Sequence, residues 1–322
     1  MGQVMRRYGT AAGMAAIVVF FAVALPDTFL TLRNWLNISQ QISMLAVVAV
    51  TMTVVMVMGD FDLSVGSMAS LAGVVAAVAF THGWPVWAGV GAALAVGLLG
   101  GLFNGLLVSV VGILPFVATL ATLTMYSGFA FLMSGGKTIF GRDIPAAFSG
   151  FARGGITLGA TDGRPLVLPW LTLLALGVTA AIWLVLEQTA FGRRLYGIGG
   201  NAVAARLAGV KVMRLRLLAF GFTGVGAATA GLMYAARVAS ANPTQGSGLM
   251  LTAIAAVFLG MTMSAFGQPR VLATLAGVVV LGVMDNGLTQ LHVDSYVRDV
   301  VVGAIIVLAV SISAFGRRAT GG

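Results

Sequence analysis

The sequence predicts an all-α protein of about ten membrane-crossing helices, folded as one domain over residues 1–322, and three observations predict it. Hydrophobic residues fill 59% of the 322 positions and charged residues 8%, with a mean hydropathy of +1.02. That leaves too little polar surface to cover a water-soluble globule. Apolar stretches long enough to cross a hydrocarbon core of about 30 Å recur along the whole chain. Forty-four glycines suit helices that pack backbone to backbone in a membrane better than they suit a soluble helical protein.

Taken in order, the apolar windows are 10–31, 42–58, 62–81, 86–109, 115–133, 166–188, 215–237, 249–265, 270–290 and 297–315. The first follows Arg6 and Arg7 and carries Ala22, Val23 and Ala24, the pattern of a signal peptide. Nine more windows follow and none needs it removed, so it is expected to stay as the first span. The second and third are parted only by "MGDFDLSVGS", residues 58–67. Aspartates inside spans are costly, so Asp60 and Asp62 need a helix break or a partner. Asp62, followed by Leu63 and Ser64, is expected to cap the next helix with its carboxylate, contact with a solute being the alternative.

An even number of spans puts both termini on one face. Arg6, Arg7, Arg193, Arg194, Arg206, Lys211, Arg214, Arg216, Arg270, Arg317 and Arg318 fall on one side, 11 of the 18 basic residues. The loop at 189–216 holds six of them and no acid. The excess of Lys and Arg marks that face, with both termini, as cytoplasmic, and residues 134–165 become the largest external loop. Orientation thus accounts for the net charge of +9 without nucleic acid. No cysteine is present, and His82 and His292 lie far apart beside loops, so neither a metal site nor a catalytic site is expected.

Two internal likenesses underlie the spans. "GSMASLAGVVAAV" at 66–78 aligns with "GSGLMLTAIAAVF" at 246–258 at an offset of 180, and Asn-Gly-Leu at 104–106 recurs at 286–288 at an offset of 182. The matched segments run in opposite directions across the membrane, the mark of an inverted repeat with a pathway between its halves.

The most polar ordered run is "FGRRLYGIGGNAVAARLAGVKVMRLRLLAF", residues 191–220. Asn201 is a good N-cap, residues 202–208 are strong helix formers, and Gly209 is placed as a stop. Two turns of helix cannot hold themselves together in water and need a surface to pack on. Either the helix lies on lipid headgroups, or it is a peg for a cytoplasmic partner.

"GDFDLSVGSMASL" (59–71), "NGLLVSVVGILPFVATLATLTMYSG" (104–128) and "FGRRLYGIGGNAVAARLAGVKV" (191–212) resemble the permease subunits of bacterial ATP-binding cassette importers for monosaccharides, the ribose, xylose, arabinose and autoinducer-2 group. The resemblance covers nearly the whole chain. It implies a multi-pass protein of the cytoplasmic (inner) membrane, fed by an external sugar-binding protein and paired with a second permease, identical or homologous. It also implies a separate cytoplasmic ATPase that supplies ATP and Mg, since this chain lacks a Gly-x-x-x-x-Gly-Lys-Ser/Thr loop and needs no cofactor of its own. The short helix becomes the coupling element, with Gly200, Asn201, Ala204, Ala205, Arg206, Leu207 and Gly209 as the residues that meet the ATPase. Pathway candidates are Asp62, Ser64, Asn104, Phe116, Thr119 and Asn286, whose amides, hydroxyls and aromatic face suit a sugar; interhelical bonding and packing are the structural alternative. The chain departs from the family pattern at "MLTAIAA" (250–256), which lacks an acid, and at "GMTMSAFGQPR" (260–270); both departures count against assuming a symmetric homodimer and leave a heterodimer of permeases open. A secondary carrier driven by an ion bound at Asp62 or Asp285 is the rival reading.

Overall fold

The computed structural model describes residues 2–161, 163–264, 267–301, 303, 304 and 307. In chain order its elements are α1 (Gly2–Ala24), α2 (Leu32–Met56), α3 (Val65–Thr81), α4 (Val86–Leu106), α5 (Pro115–Ser134), β1 (Ile139–Phe140), α6 (Ala146–Arg153), β2 (Gly155–Thr161) and β3 (Arg164–Pro169). Then follow α7 (Trp170–Trp183), α8 (Ala190–Gly200), α9 (Ala202–Leu207), α10 (Val212–Val238), β4 (Ser240–Ala241), α11 (Leu249–Met263) and α12 (Val271–Gln290).

The expected helical bundle is present, but its spans are of unequal kinds. Among the described residues six helices are long and apolar enough to cross a membrane: α2, α4 continued by a π-turn to Val111, α5, α7 continued by a π-turn to Gln188, α10 and α12. Three expected spans correspond to shorter apolar helices, at Gly13–Ala24, Val65–Thr81 and Leu249–Met263. The tenth window, 297–315, falls mostly outside the described residues, although 295–301 are helical. The second span begins at Leu32, ten residues earlier than hydropathy placed it, because Thr31 caps it by accepting from the Asn34 N–H.

Helices α2 and α10 form the centre. Every residue from Ser43 to Met58 is buried. Helix α10 crosses α4 through glycines: Gly97 lies against Gly224, Gly101 against Phe220, and Gly105 against Leu217. Glycine at every fourth position lets the two backbones touch, and the pairing makes these helices antiparallel. Thr53 of α2 shares a 3.0 Å hydrogen bond with Thr274 of α12, and Gly282 meets Ile42, so α12 runs opposite to α2. Helices α11 and α12 pack antiparallel through Gly260 on Ala273 and Gly277 on Ala256. One end of the bundle carries α8 and α9 and is here termed the basic end.

The far end is more ordered than a loop. β2 and β3 form an antiparallel hairpin with an irregularity between Thr157 and Gly159, and Arg33 donates to the Thr161 and Arg164 carbonyls at 3.2 and 3.3 Å. β1 pairs with β4, Ile139 opposite Ala241 and Phe140 opposite Ser240. Residues 134–165 therefore contain strands and a helix, and the seventh helix starts at Trp170, four residues later than the apolar window suggested, because Leu166 to Pro169 extend the hairpin.

Helices α3 and α11 do not run from end to end. Asp60 is ion-paired to Arg216 near the start of α10, whereas Ala69 packs against Gly231. Those two α10 positions lie about 22 Å apart along the axis at 1.5 Å per residue. The non-helical residues 60–62, the first turn of α3 and the reach of the Arg216 side chain together cover that distance. Gly73 then approaches Ala235, so α3 continues parallel to α10. Residues 239–248 return from the far end in the opposite sense, and α11 starts at Leu249, inside the bundle.

Candidate functional site

At the basic end, Asn201 (φ −160°, ψ 102°) stops α8, and its Oδ1 accepts from the Val203 and Ala204 N–H groups, each at 3.0 Å. Gly209 follows at φ +80°, with its N–H on the Arg206 carbonyl and that of Val210 on the Ala205 carbonyl. The cap and stop read in the sequence are thus both in place around α9. Gly200, Ala204, Arg206 and Gly209 are exposed and Ala205 is half-buried. Val203 is 70% and Leu207 85% exposed. An apolar pair left open on a capped helix has no partner among the described residues. Beside it lies a groove of about 600 Å³ lined by Arg206, Lys211, Arg214 and Arg216.

Residues 190–200, expected as loop, form the helix α8. Two of its glycines serve close approach instead of turns: a Cβ on Gly192 would strike the Leu186 carbonyl, and one on Gly199 the Val57 carbonyl. Helix α8 is also fastened to the start of α12. The Tyr196 hydroxyl donates to the Pro269 carbonyl at 2.9 Å, and Glu187 Oε1 accepts from the Val271 N–H at 3.0 Å. Arg270 lies 3.6 Å from Glu187 Oε2 and 6.0 Å from the Tyr196 ring centroid. Burial and the Glu187 carboxylate push the Tyr196 phenol up to about 12, against the pull of Arg270, so it remains a donor.

Four of the six pathway candidates come together. Asp62 Oδ1 accepts from the Ser64 N–H at 2.9 Å and the Ser64 hydroxyl at 2.6 Å. Asn104 Nδ2 donates to Ser64 Oγ at 2.8 Å, and Tyr126, which the sequence reading missed, donates to the Gly100 carbonyl and Asn104 Oδ1 at 2.9 and 3.4 Å. Thr119 joins through the Phe61 carbonyl at 3.4 Å. Asp62, Ser64, Asn104 and Thr119 are all buried. The Asp62 carboxylate braces the turn ahead of α3, two residues before the capping position expected of it, which Ser64 occupies. Phe116 stands apart, 56% exposed. Asn286 belongs to a separate group, accepting from Gln290 Nε2 at 2.7 Å while Gln290 also donates to Asn34. Asp285 is paired with Arg298 at 2.7 Å.

The turn ahead of α11 repeats the one ahead of α3. Asn242 Oδ1 accepts from the Thr244 N–H and the Thr244 hydroxyl, both at 2.8 Å, as Asp62 does from Ser64. Left-handed residues stand at Gly59 (φ +81°) and Ala239 (φ +51°). Each of these pairs, like Gly66 with Gly246, is offset by 180. The written signal is Asp-Leu-Ser-Val-Gly-Ser at 62–67 against Asn-Pro-Thr-Gln-Gly-Ser at 242–247, an acceptor and a hydroxyl two apart before Gly-Ser. At the ends of these turns the repeats touch. A Cβ on Gly66 would sit 2.6 Å from the Gly246 carbonyl oxygen, and a Cβ on Gly246 would strike that of Gly66. The Gly246 N–H donates to Ser70 Oγ at 2.9 Å. Asp60 closes the arrangement toward the basic end: Arg216 Nε lies 2.6 Å from Oδ2, and Nη2 donates to Oδ1 at 3.2 Å.

Comparison with known proteins gives a consistent result. The family described as branched-chain amino acid transport system / permease component matches residues 34–310. The ribose import permease protein RbsC of Escherichia coli K12 is 36% identical over 314 residues, covering 95% of each chain. RbsC of Bacillus subtilis is 35% identical over 95% of this chain and 92% of its own. The xylose transport system permease protein XylH of E. coli K12 is 31% identical over 93% and 89%.

Proposed function

The chain belongs to the branched-chain amino acid transport system / permease component family, among the permeases of ATP-binding cassette monosaccharide importers, and from that premise we propose that it passes a monosaccharide or similar polyol across the bacterial inner membrane when a separate ATPase hydrolyses ATP. The reading has both termini in the cytoplasm, a second permease beside this one, and an external binding protein that selects the sugar. Its weak internal requirements suit a site whose buried polar groups, Asp62, Ser64 and Asn104, are already bonded to one another.

The observation that carries the coupling step is the open face of α9. Val203 and Leu207 are exposed on a helix whose ends are both capped, so the helix keeps its shape while offering an apolar peg. The basic groove beside it favours an acidic partner surface. Gly200, Asn201, Ala204, Ala205, Arg206, Leu207 and Gly209 form the docking element in this reading.

Reconstituting the permease with its ATPase and binding protein, and comparing Arg206→Glu with wild type at equal assembly, tests it. Arg206→Glu is expected to reduce sugar-stimulated ATP hydrolysis and uptake together, by tenfold or more if the contact is worth about 1.4 kcal/mol. Uptake that follows an ion gradient without ATP hydrolysis would replace this reading with that of a secondary carrier.

A further inference from the structure

We propose that the cleft between α8 and the start of α10 binds an anionic phospholipid, its phosphate held by Arg194, Lys211 and Arg214 and its acyl chains laid against Phe191, Leu218 and Phe222. The inference goes beyond the importer reading, since it concerns the bilayer and neither the solute nor the ATPase.

Four observations point there. First, a cleft of about 440 Å³ is lined by Arg194, Lys211 and Arg214, with Leu215 and the chain at 208–210, and no acid borders it. None of the three cations has an ion pair or side-chain hydrogen bond among the described residues, whereas Arg216, Arg270 and Arg298 each face a carboxylate. Second, no side chain caps the N-terminus of α10, so the N–H groups of its first turn and the positive end of its dipole also favour a phosphate there. Third, the 27 residues of α10 span about 40 Å, the thickness of a bilayer with its headgroups and not of the hydrocarbon alone. Arg214, the third residue of that helix, therefore stands at headgroup level. Leu218 and Phe222, both exposed, follow on the same face about 6 and 12 Å deeper. Fourth, α8 repeats this order in the opposite chain sense. Phe191 packs on Phe222 with ring centroids 5.8 Å apart, and Arg194, three residues on, borders the cleft. Two helices thus offer arginine outermost and an aromatic ring within, which matches a charged head on apolar tails. A soluble acidic surface answers the arginines but cannot follow the apolar face into the bilayer.

Lys211 and Arg214 also line the groove beside Arg206, whereas of these two grooves Arg194 lines only the present one, so Arg194 carries the test. The full chain in nonionic detergent is titrated with short-chain phosphatidylglycerol and with the matching phosphatidylcholine. The anionic lipid is expected to bind at least tenfold more tightly, since each basic residue beside an anionic headgroup contributes about fivefold. Arg194→Gln should reduce that preference about fivefold, and Phe222→Ser should weaken both lipids while leaving the preference in place. Equal affinity for the two lipids, or a preference untouched by Arg194→Gln, overturns the site. Displacement of the lipid by inorganic phosphate at fixed ionic strength overturns it in favour of a free-anion site. Exclusion of the lipid when the ATPase assembles on the permease overturns it in favour of that partner. Because binding is read without transport, these outcomes hold whether uptake is driven by ATP or by an ion gradient.

Discussion

The turn before α3 and the turn before α11 share a backbone design and differ in what holds them. Both begin at a left-handed residue and are braced by an acceptor reaching a hydroxyl residue two positions on. The first is charged and buried: Asp60 holds Arg216, and Asp62 gathers Ser64 and Asn104. The second is uncharged, with Thr244 exposed, and is tied to the far end, where β4 pairs with β1 and Asn242 donates to Thr138 at 2.9 Å. One repeat is thus anchored toward the basic end and the other toward the far end. Duplication supplied the geometry, and divergence of single side chains gave each copy a different attachment.

Substitutions at matched positions should expose that difference. The largest effect is expected from Arg216→Ala, which leaves the Asp60 carboxylate buried without its partner. A loss of about 3 kcal/mol in thermal melting in detergent follows, the low end for such pairs because Arg216 is partly exposed. Adding Asp60→Ala should recover part of it, and a double variant no better than the single breaks the assignment. Next comes Asp62→Ala, which strands the two buried Ser64 donors at a cost of about 2 kcal/mol. Its counterpart Asn242→Ala should cost about 1 kcal/mol, since water reaches the Thr244 groups it leaves. Equal losses in the two would show that burial does not separate the repeats. Smallest is Ala239→Gly, expected to add about 0.5 kcal/mol by relieving a left-handed alanine. Destabilisation there would mean that its methyl group packs more than its backbone strains.

The sequence revealed local chemistry better than path. Asn201 and Gly209 bound α9 as read, because caps act within four residues of themselves. The likeness of 66–78 to 246–258 was visible, and the two glycines that open it meet in space. Its extension back to Asp62 and Asn242 was hidden by Pro243 and Gln245, which share nothing with Leu63 and Val65. Helix α8 was read as loop because four of its eleven residues are glycine, the usual sign of a turn, although here close approach to Leu186 and Val57 requires two of them, Gly192 and Gly199. Hydropathy also cannot tell a full crossing from a helix that starts partway, since both are equally apolar; hence α3 and α11 were drawn as complete spans. The pairing of Asp60 with Arg216, 156 residues apart, carries no local signal at all.

Helix α8 touches both repeats, through Gly199 at the end of α2 and through Tyr196 at the start of α12, where Glu187 of the preceding π-turn also binds. A beam pinned to two bodies shares any load between them. A load on its tip would bear on both halves, with α8 as the crossbar between them.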